Sequence, residues 1–252
     1  MPRVVARPDT LNERNTDFDQ RPLREPVFLN SVPKSGTHLI RNIVRMFVPV
    51  QQQYHDEFIQ YANLRQHQAA FARAQPRLSW GHMLFGDDSA VALRGVRHLL
   101  LVRDPYDWVL ARTRFFLSDT FQASLDHLKG GNVSVEDMMN MMVFGISDKA
   151  PDMNSIYTHN AVSWLGTGAI LLRFEDLLEH VKRLDSAEAE TFFGGLLGDL
   201  NMGALPHDWR DRVRVGADRE QSGTARENLA GATDDIPEVL PDAQKRLVDY
   251  AV

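Results

Sequence analysis

The sequence predicts an α/β fold: one domain with a central, mostly parallel sheet flanked by helices. Three observations carry this prediction. Short runs rich in β-branched, aromatic and aliphatic residues fall at 27–32, 78–83, 96–102 and 169–174, the signature of buried strands. Segments with helical spacing stand between them, and strands alternating with helices imply a parallel sheet covered on both faces. Of the 252 residues, 43% are hydrophobic and 25% charged, ordinary values for a chain that can bury a sizeable core.

The elements follow in order. Residues 1–20 are polar and read as a flexible N-terminal arm, leaving 21–252 as the domain. Val27, Phe28, Leu29 and Val32 mark the first strand. Pro33-Lys34-Ser35-Gly36-Thr37 is a small-residue turn. After it Leu39, Ile40, Ile43, Val44 and Phe47 recur at helical spacing, with Arg41, Asn42 and Arg45 on the other side. Residues 56–75 read as a helix stopped by Pro76, before the strand at 78–83. Leu99-Leu100-Leu101-Val102 is the heart of the clearest buried strand. Asp104 then suits a helix N-cap and Pro105 the first turn of a helix reaching about Leu117. Residues 119–165 read as helices and loops around a Gly-Gly turn. Their Phe121, Met138, Met139, Met141, Met142, Phe144 and Tyr157 could line an adaptable apolar pocket but read more simply as core. The strand at 169–174 runs into a helix opened by Glu175-Asp176. A final helix is expected near 242–250. No internal repeat or low-complexity linker interrupts the chain.

Charge and composition exclude several classes. A net charge of −6 argues against a general nucleic-acid binder. With no cysteine, disulfides, thiolate zinc sites and a cysteine nucleophile are excluded. No His/Asp/Glu cluster has metal-ligand spacing. The N-terminus lacks the apolar run of a signal peptide, and nothing approaches the ~20 apolar residues of a membrane span. A cytoplasmic protein without membrane partners is the expectation.

The turn at 33–37 has the chemistry of an anion site. Backbone N–H groups at a helix start lack partners within the helix, and the helix dipole favours negative charge there. Gly36 permits close approach, Ser35 and Thr37 bring hydroxyls, and Lys34 brings a full charge. The pattern G-x-x-x-x-G-K-[ST] does not occur, so this is not a Walker A loop. A plain strand-to-helix turn with a surface lysine is the competing reading of these five residues.

The loop Pro33-Lys34-Ser35-Gly36-Thr37 resembles the P-loop-like phosphosulfate-binding loop of sulfotransferases that use 3′-phosphoadenosine 5′-phosphosulfate (PAPS). The stretch Leu101-Val102-Arg103-Asp104-Pro105-Tyr106-Asp107-Trp108 resembles that family's strand-end R-D/N-P-x-D segment. Leu172-Arg173-Phe174-Glu175-Asp176-Leu177-Leu178 resembles its R-Y/F-E-D-L turn, and 219–229 more faintly its C-terminal closing loop. The matches run in the family's order. The resemblance implies sulfuryl transfer from PAPS to a small-molecule acceptor, releasing adenosine 3′,5′-bisphosphate (PAP). It implies that Lys34 stabilises the leaving phosphate and Ser35, Gly36 and Thr37 cradle the 5′-phosphate. Arg103 would grip the 3′-phosphate, with Arg219 as a second cation and Arg226 a weaker candidate. His82 sits where the family keeps its catalytic base, and imidazole titrates near neutral pH. The other eight histidines read as packed or surface groups, His38 less plainly because it follows the loop.

The chain departs from the family at three places. Ala111 stands where a serine usually helps hold the 3′-phosphate. Arg112, Thr113 and Arg114 are the nearby candidates to replace it. Leu39 stands where many members stack a tryptophan on adenine, a task Phe174 could take over. Ala225 replaces the closing loop's tryptophan. Two other classes therefore stay open: a nucleotide-dependent kinase of related loop type, and a non-catalytic nucleotide-binding relative.

Overall fold

A computed structural model of the chain describes residues 3–4, 9–54, 58–118, 121–122, 125–223 and 235–252. Its strands are β1 Arg3–Val4, β2 Val27–Ser31, β3 Ile59–Gln60, β4 Leu78–His82, β5 Arg97–Val102, β6 Phe121–Gln122 and β7 Ile170–Arg173. Its helices are α1 Leu11–Asn15, α2 Thr37–Arg45, α3 Asp87–Ala92, α4 Pro105–Leu117, α5 Val135–Phe144, α6 Met153–Asn160, α7 Phe174–Lys182, α8 Ala187–Asp199, α9 Trp209–Ala217 and α10 Asp242–Ala251. Five strands form one sheet in the order β3-β4-β2-β5-β7, every neighbouring pair parallel. The predicted α/β class and parallel sheet stand. A separate antiparallel ladder joins β1 to β6.

The sheet divides two apolar layers, and the strands alternate between them. Val27, Leu29, Leu99 and Leu101 face the layer closed by α2, α7, α8 and α9. Phe28 and Leu100 face the layer holding Trp108, Met138, Met139, Met142 and Ile156. The Met-rich stretch is thus core, since Met138, Met139 and Met142 are at most 1% exposed. A parallel strand buried on both faces reads as a continuous apolar run, which explains why β2 and β5 were legible. Asp104 caps α4, its side chain accepting from the N–H of Tyr106 at 2.9 Å and of Asp107 at 3.3 Å. No helix of the described residues is long and apolar enough to cross a membrane.

Two expectations are corrected. Residues 9–20 are not a loose arm. Leu11 is wholly buried, and Asn15 donates to the carbonyls of Arg45 at 2.6 Å and Val48 at 3.0 Å, capping the end of α2. Residues 58–75 are not one α-helix: they give the edge strand β3 and a 3₁₀ segment, Tyr61–Phe71, broken at His67. Buried Ile59 pairs with Gly81, where a Cβ would fall 1.8 Å from the Ile59 carbonyl oxygen, so β3 closes on β4 only because residue 81 is glycine. Helices α8 and α9 were not foreseen.

Candidate active site

The carboxyl ends of β2, β4 and β5 lie side by side, and the residues singled out from the sequence stand there: Lys34 in the loop after β2, His82 at the end of β4 and Arg103 just after β5. In open parallel sheets this edge is where ligands bind. The β2–α2 loop is pinned from beneath: the Val32 N–H donates to Leu101 at 3.0 Å, Ser35 to Val32 at 3.1 Å, and the Trp108 indole N–H to Pro33 at 2.5 Å. Lys34 adopts φ +69° and Gly36 φ +94°, so the chain doubles back tightly before α2. A Cβ at Gly36 would lie 2.4 Å from the Phe174 ring, which fits glycine alone.

Ser35 is 0% exposed and its Oγ has no partner among the described residues. A buried hydroxyl left without a bond is costly, and here it sits in the loop expected to take an anion. The Lys34 ammonium lies over the Phe115 ring, 2.9 Å from its centroid. Burial, with the nearby Arg112 charge, pulls the Lys34 amine down to about 7. An anion arriving beside it reverses that shift.

His82 ends β4 and faces the loop. Its Nδ1 lies 2.9 Å from the Ser31 carbonyl oxygen and 3.1 Å from Ser31 Oγ. The carbonyl can only accept, so neutral His82 carries its proton on Nδ1 and keeps a lone pair on Nε2. Burial pulls it down to about 4, the nearby Lys34 adding to the effect against the Ser31 carbonyl. Ser31 Oγ also meets Thr37 Oγ1 at 2.6 Å, linking β2, loop and histidine. Asn30 locks the geometry from the core: its Oδ1 accepts from Met83 N at 2.8 Å and its Nδ2 donates to Met83 O at 3.2 Å. Phe58 packs on His82, with centroids 4.6 Å apart. His38 lies beside the same Phe58, at 6.2 Å. Its Nδ1 is buried with no partner among the described residues, and burial and the Arg41 charge push it down to about 3. His38 is thus a packed histidine whose ring neighbours the same Phe58 that packs on His82.

Arg103 follows β5. Its Nη1 donates to the Lys34 carbonyl at 3.4 Å, its own carbonyl accepts from the Tyr157 hydroxyl at 2.9 Å, and its guanidinium covers the Phe174 ring at 4.5 Å. A cavity of about 320 Å³ opens beside it, lined by Arg103, Asp107, Phe174, Glu175 and Lys182 among others. Phe174 borders that cavity but is only 8% exposed, so most of its ring is occupied by Arg103 and Gly36.

Other expected groups are placed elsewhere. The three residues after Ala111 bond within the protein itself. Arg112 is buried and donates to Met142 at 3.0 Å and Pro151 at 2.9 Å, Thr113 bonds within its own helix, and Arg114 donates to Pro237. Leu39 packs against the apolar layer. Arg219 lies in a turn whose Ser222 accepts from Asn42, in the middle of α2. Ala225, Arg226 and His55 lie outside the described residues.

No protein-family profile matches the sequence, and no curated protein matches it. Solved structures do match. The crystal structure of mouse sulfotransferase SULT7A1 complexed with PAP aligns with TM-score 0.57 and 13% identity, covering 96% of this chain and 86% of that one. Retinol dehydratase in complex with androsterone and inactive cofactor PAP aligns with TM-score 0.45 and 15% identity, covering 79% and 66%. The chain shares the fold of the mouse sulfotransferase.

Proposed function

We propose that this chain, built on a sulfotransferase fold, transfers a sulfuryl group from PAPS to a hydroxyl or amine of a small-molecule acceptor. The observation that carries the reading is the juxtaposition of three groups at one sheet edge. These are the Lys34 loop with its orphaned Ser35 hydroxyl, His82 with a lone pair free on Nε2, and Arg103.

The residues fit such a donor. Ser35, Thr37 and the bare Gly36 offer hydroxyls and close backbone approach to a 5′-phosphate. Arg103 is planar, rigidly mounted and suited to a 3′-phosphate. Phe174 serves first as the platform for Arg103 and second as an aromatic wall for adenine. Arg219, expected as a second cation, stands in the turn tied to Asn42 of α2 and carries no part of this reading.

Each catalytic task then has an owner. His82 takes the acceptor's proton on Nε2 as the acceptor atom bonds to sulfur, while Nδ1 stays bound to the Ser31 carbonyl. Lys34 receives the charge left on the phosphate oxygen as the sulfur–oxygen bond to it breaks. The loop and Arg103 hold the reactants in line. His38 and Phe58 border the side from which the acceptor comes.

The test is a calorimetric titration with PAP beside ADP and ATP without magnesium, followed by a PAPS turnover assay. Tight binding that requires the 3′-phosphate, with turnover, supports the reading. A preference for ATP with magnesium favours the kinase class, and binding without turnover favours a non-catalytic relative.

A further inference from the structure

We propose that the opposite pole of the domain carries a second anion site, for a small phosphate-bearing ligand, formed by Arg24, Arg73 and Arg97 around a cavity at the amino ends of β2, β5 and β7. The cavity measures about 370 Å³ and includes Gly95 and Gly168 in its wall. That volume accommodates a pyrophosphate or a sugar phosphate. The strands of the sheet run from pole to pole, and five residues of β2 at ~3.3 Å each put about 16 Å between this cavity and the Lys34 loop. The two sites are therefore separate, and this one does not depend on the sulfotransferase reading.

Charge at this mouth differs from the surface as a whole. The chain carries −6, yet three guanidiniums meet here with one carboxylate. Glu25 binds Arg97, Oε2 to Nε at 2.8 Å. Arg24 and Arg73 have no acidic partner among the described residues. Like charges gathered in a cleft focus the field there and draw an anion.

Arg73 reaches this mouth past Gly95. Gly95 has φ +77°, and a Cβ on it would fall 1.6 Å from Arg73 Nη2. The guanidinium thus comes close against the bare face of Gly95, which brings its charge to the cavity mouth. Gly168, at φ +84°, meets no atom within 4 Å of an added Cβ, so that wall stays open. His98 completes the lining. It is 6% exposed, held edge-on to Trp164 at 4.7 Å, and its Nε2 has no partner among the described residues. Burial pulls it down to about 4, so at neutral pH it offers a polar atom without charge.

The test is calorimetric titration of inorganic pyrophosphate at low salt into three proteins: the unmodified chain, Lys34→Ala, and the double variant Arg24→Gln with Arg73→Gln. Both arginines are exposed, so the double variant keeps the fold and melting temperature of the unmodified chain, which circular dichroism checks. The expected result is binding that survives in Lys34→Ala and weakens at least ~10-fold in the double variant, since each Arg–phosphate contact is a charge-assisted one. Two results overturn the proposal. One is no pyrophosphate binding by Lys34→Ala at about 5 mM; the other is binding of the same affinity in the double variant.

Discussion

Gly36→Ala tests how the loop is held. The substitution adds one methyl group at φ +94°, 2.4 Å from Phe174 Cδ2. Two costs follow. A left-handed conformation costs a residue with a Cβ ~1–2 kcal/mol. Overpacking against a buried ring costs a further ~1–3 kcal/mol, and Phe174 cannot swing away freely because Arg103 covers it at 4.5 Å. The total spans ~2–5 kcal/mol and centres on about 3.5 kcal/mol, which for a domain of this size lowers the melting temperature by roughly 7–14 °C. The two costs separate in a double-mutant cycle with Phe174→Leu. Removing the ring abolishes the clash but leaves the backbone strain, so the coupling energy should be ~1–3 kcal/mol. Denaturant unfolding of the four proteins measures it. Because the methyl also displaces the loop that carries Lys34 and Ser35, PAP affinity in Gly36→Ala should fall at least ~10-fold. A Gly36→Ala protein within ~0.5 kcal/mol of the unmodified chain, or zero coupling to Phe174→Leu, would refute the packing argument.

The remaining predictions concern the proposed chemistry. His82→Ala should lower turnover by ~10²–10⁴ while leaving PAP affinity within about twofold, because the base faces the acceptor; full retained activity removes His82 from the mechanism. His82 held at about 4 stays deprotonated through neutral pH, so the acidic limb of kcat/KM should fall only as pH drops through about 4; a limb near the ordinary histidine value would contradict the buried geometry. Lys34 held at about 7 in the free protein must be protonated to meet an anion. PAP affinity should therefore decline as pH rises above about 7, with proton uptake on binding that is read from the buffer dependence of the calorimetric enthalpy. Lys34→Ala should erase that uptake, and a flat pH profile in the unmodified chain would sink the assignment. Arg103→Ala should weaken PAP by ~10–100-fold and leave ADP, which lacks the 3′-phosphate, unchanged; equal loss for both ligands would mean that the 3′-phosphate sits elsewhere.

The legible elements share a cause. β2, β5 and α4 announce themselves because parallel strands buried on both faces are continuous apolar runs, and Asp104-Pro105 is a complete helix start. Residues 58–75 were misread as helix because edge strand β3 is two residues long and depends on Gly81 across the ladder, a tertiary fact with no local signal. The packed segment at 9–20 was missed for a similar reason: apart from Leu11 and Phe18, its attachment is polar, through Asp9, Asn12 and Asn15 to Arg45 and the end of α2. Arg112, one of three nearby candidates, shows what a single helical step decides. It stands one position beyond Ala111 on α4 and reads as a substitute phosphate ligand, yet one helical step turns it about 100° into the core, where it joins α5 to the start of α6.

Asn30 and Ser31 did carry a signal that composition and periodicity passed over. They are polar residues inside the apolar run Val27–Val32, at the centre of a five-stranded sheet, and both are 0% exposed. A buried amide and hydroxyl there cost free energy unless every bond is made. A strand whose only duty was packing would gain from a valine or leucine at either place. Both residues instead spend their bonds on the β4 end: Asn30 grips Met83, and Ser31 reaches His82 and Thr37. The geometry that sets the tautomer of His82 therefore comes from β2 rather than from the strand that bears the histidine. Two polar residues in succession at the carboxyl end of a central parallel strand are better read as the support of a site than as a lapse in the core.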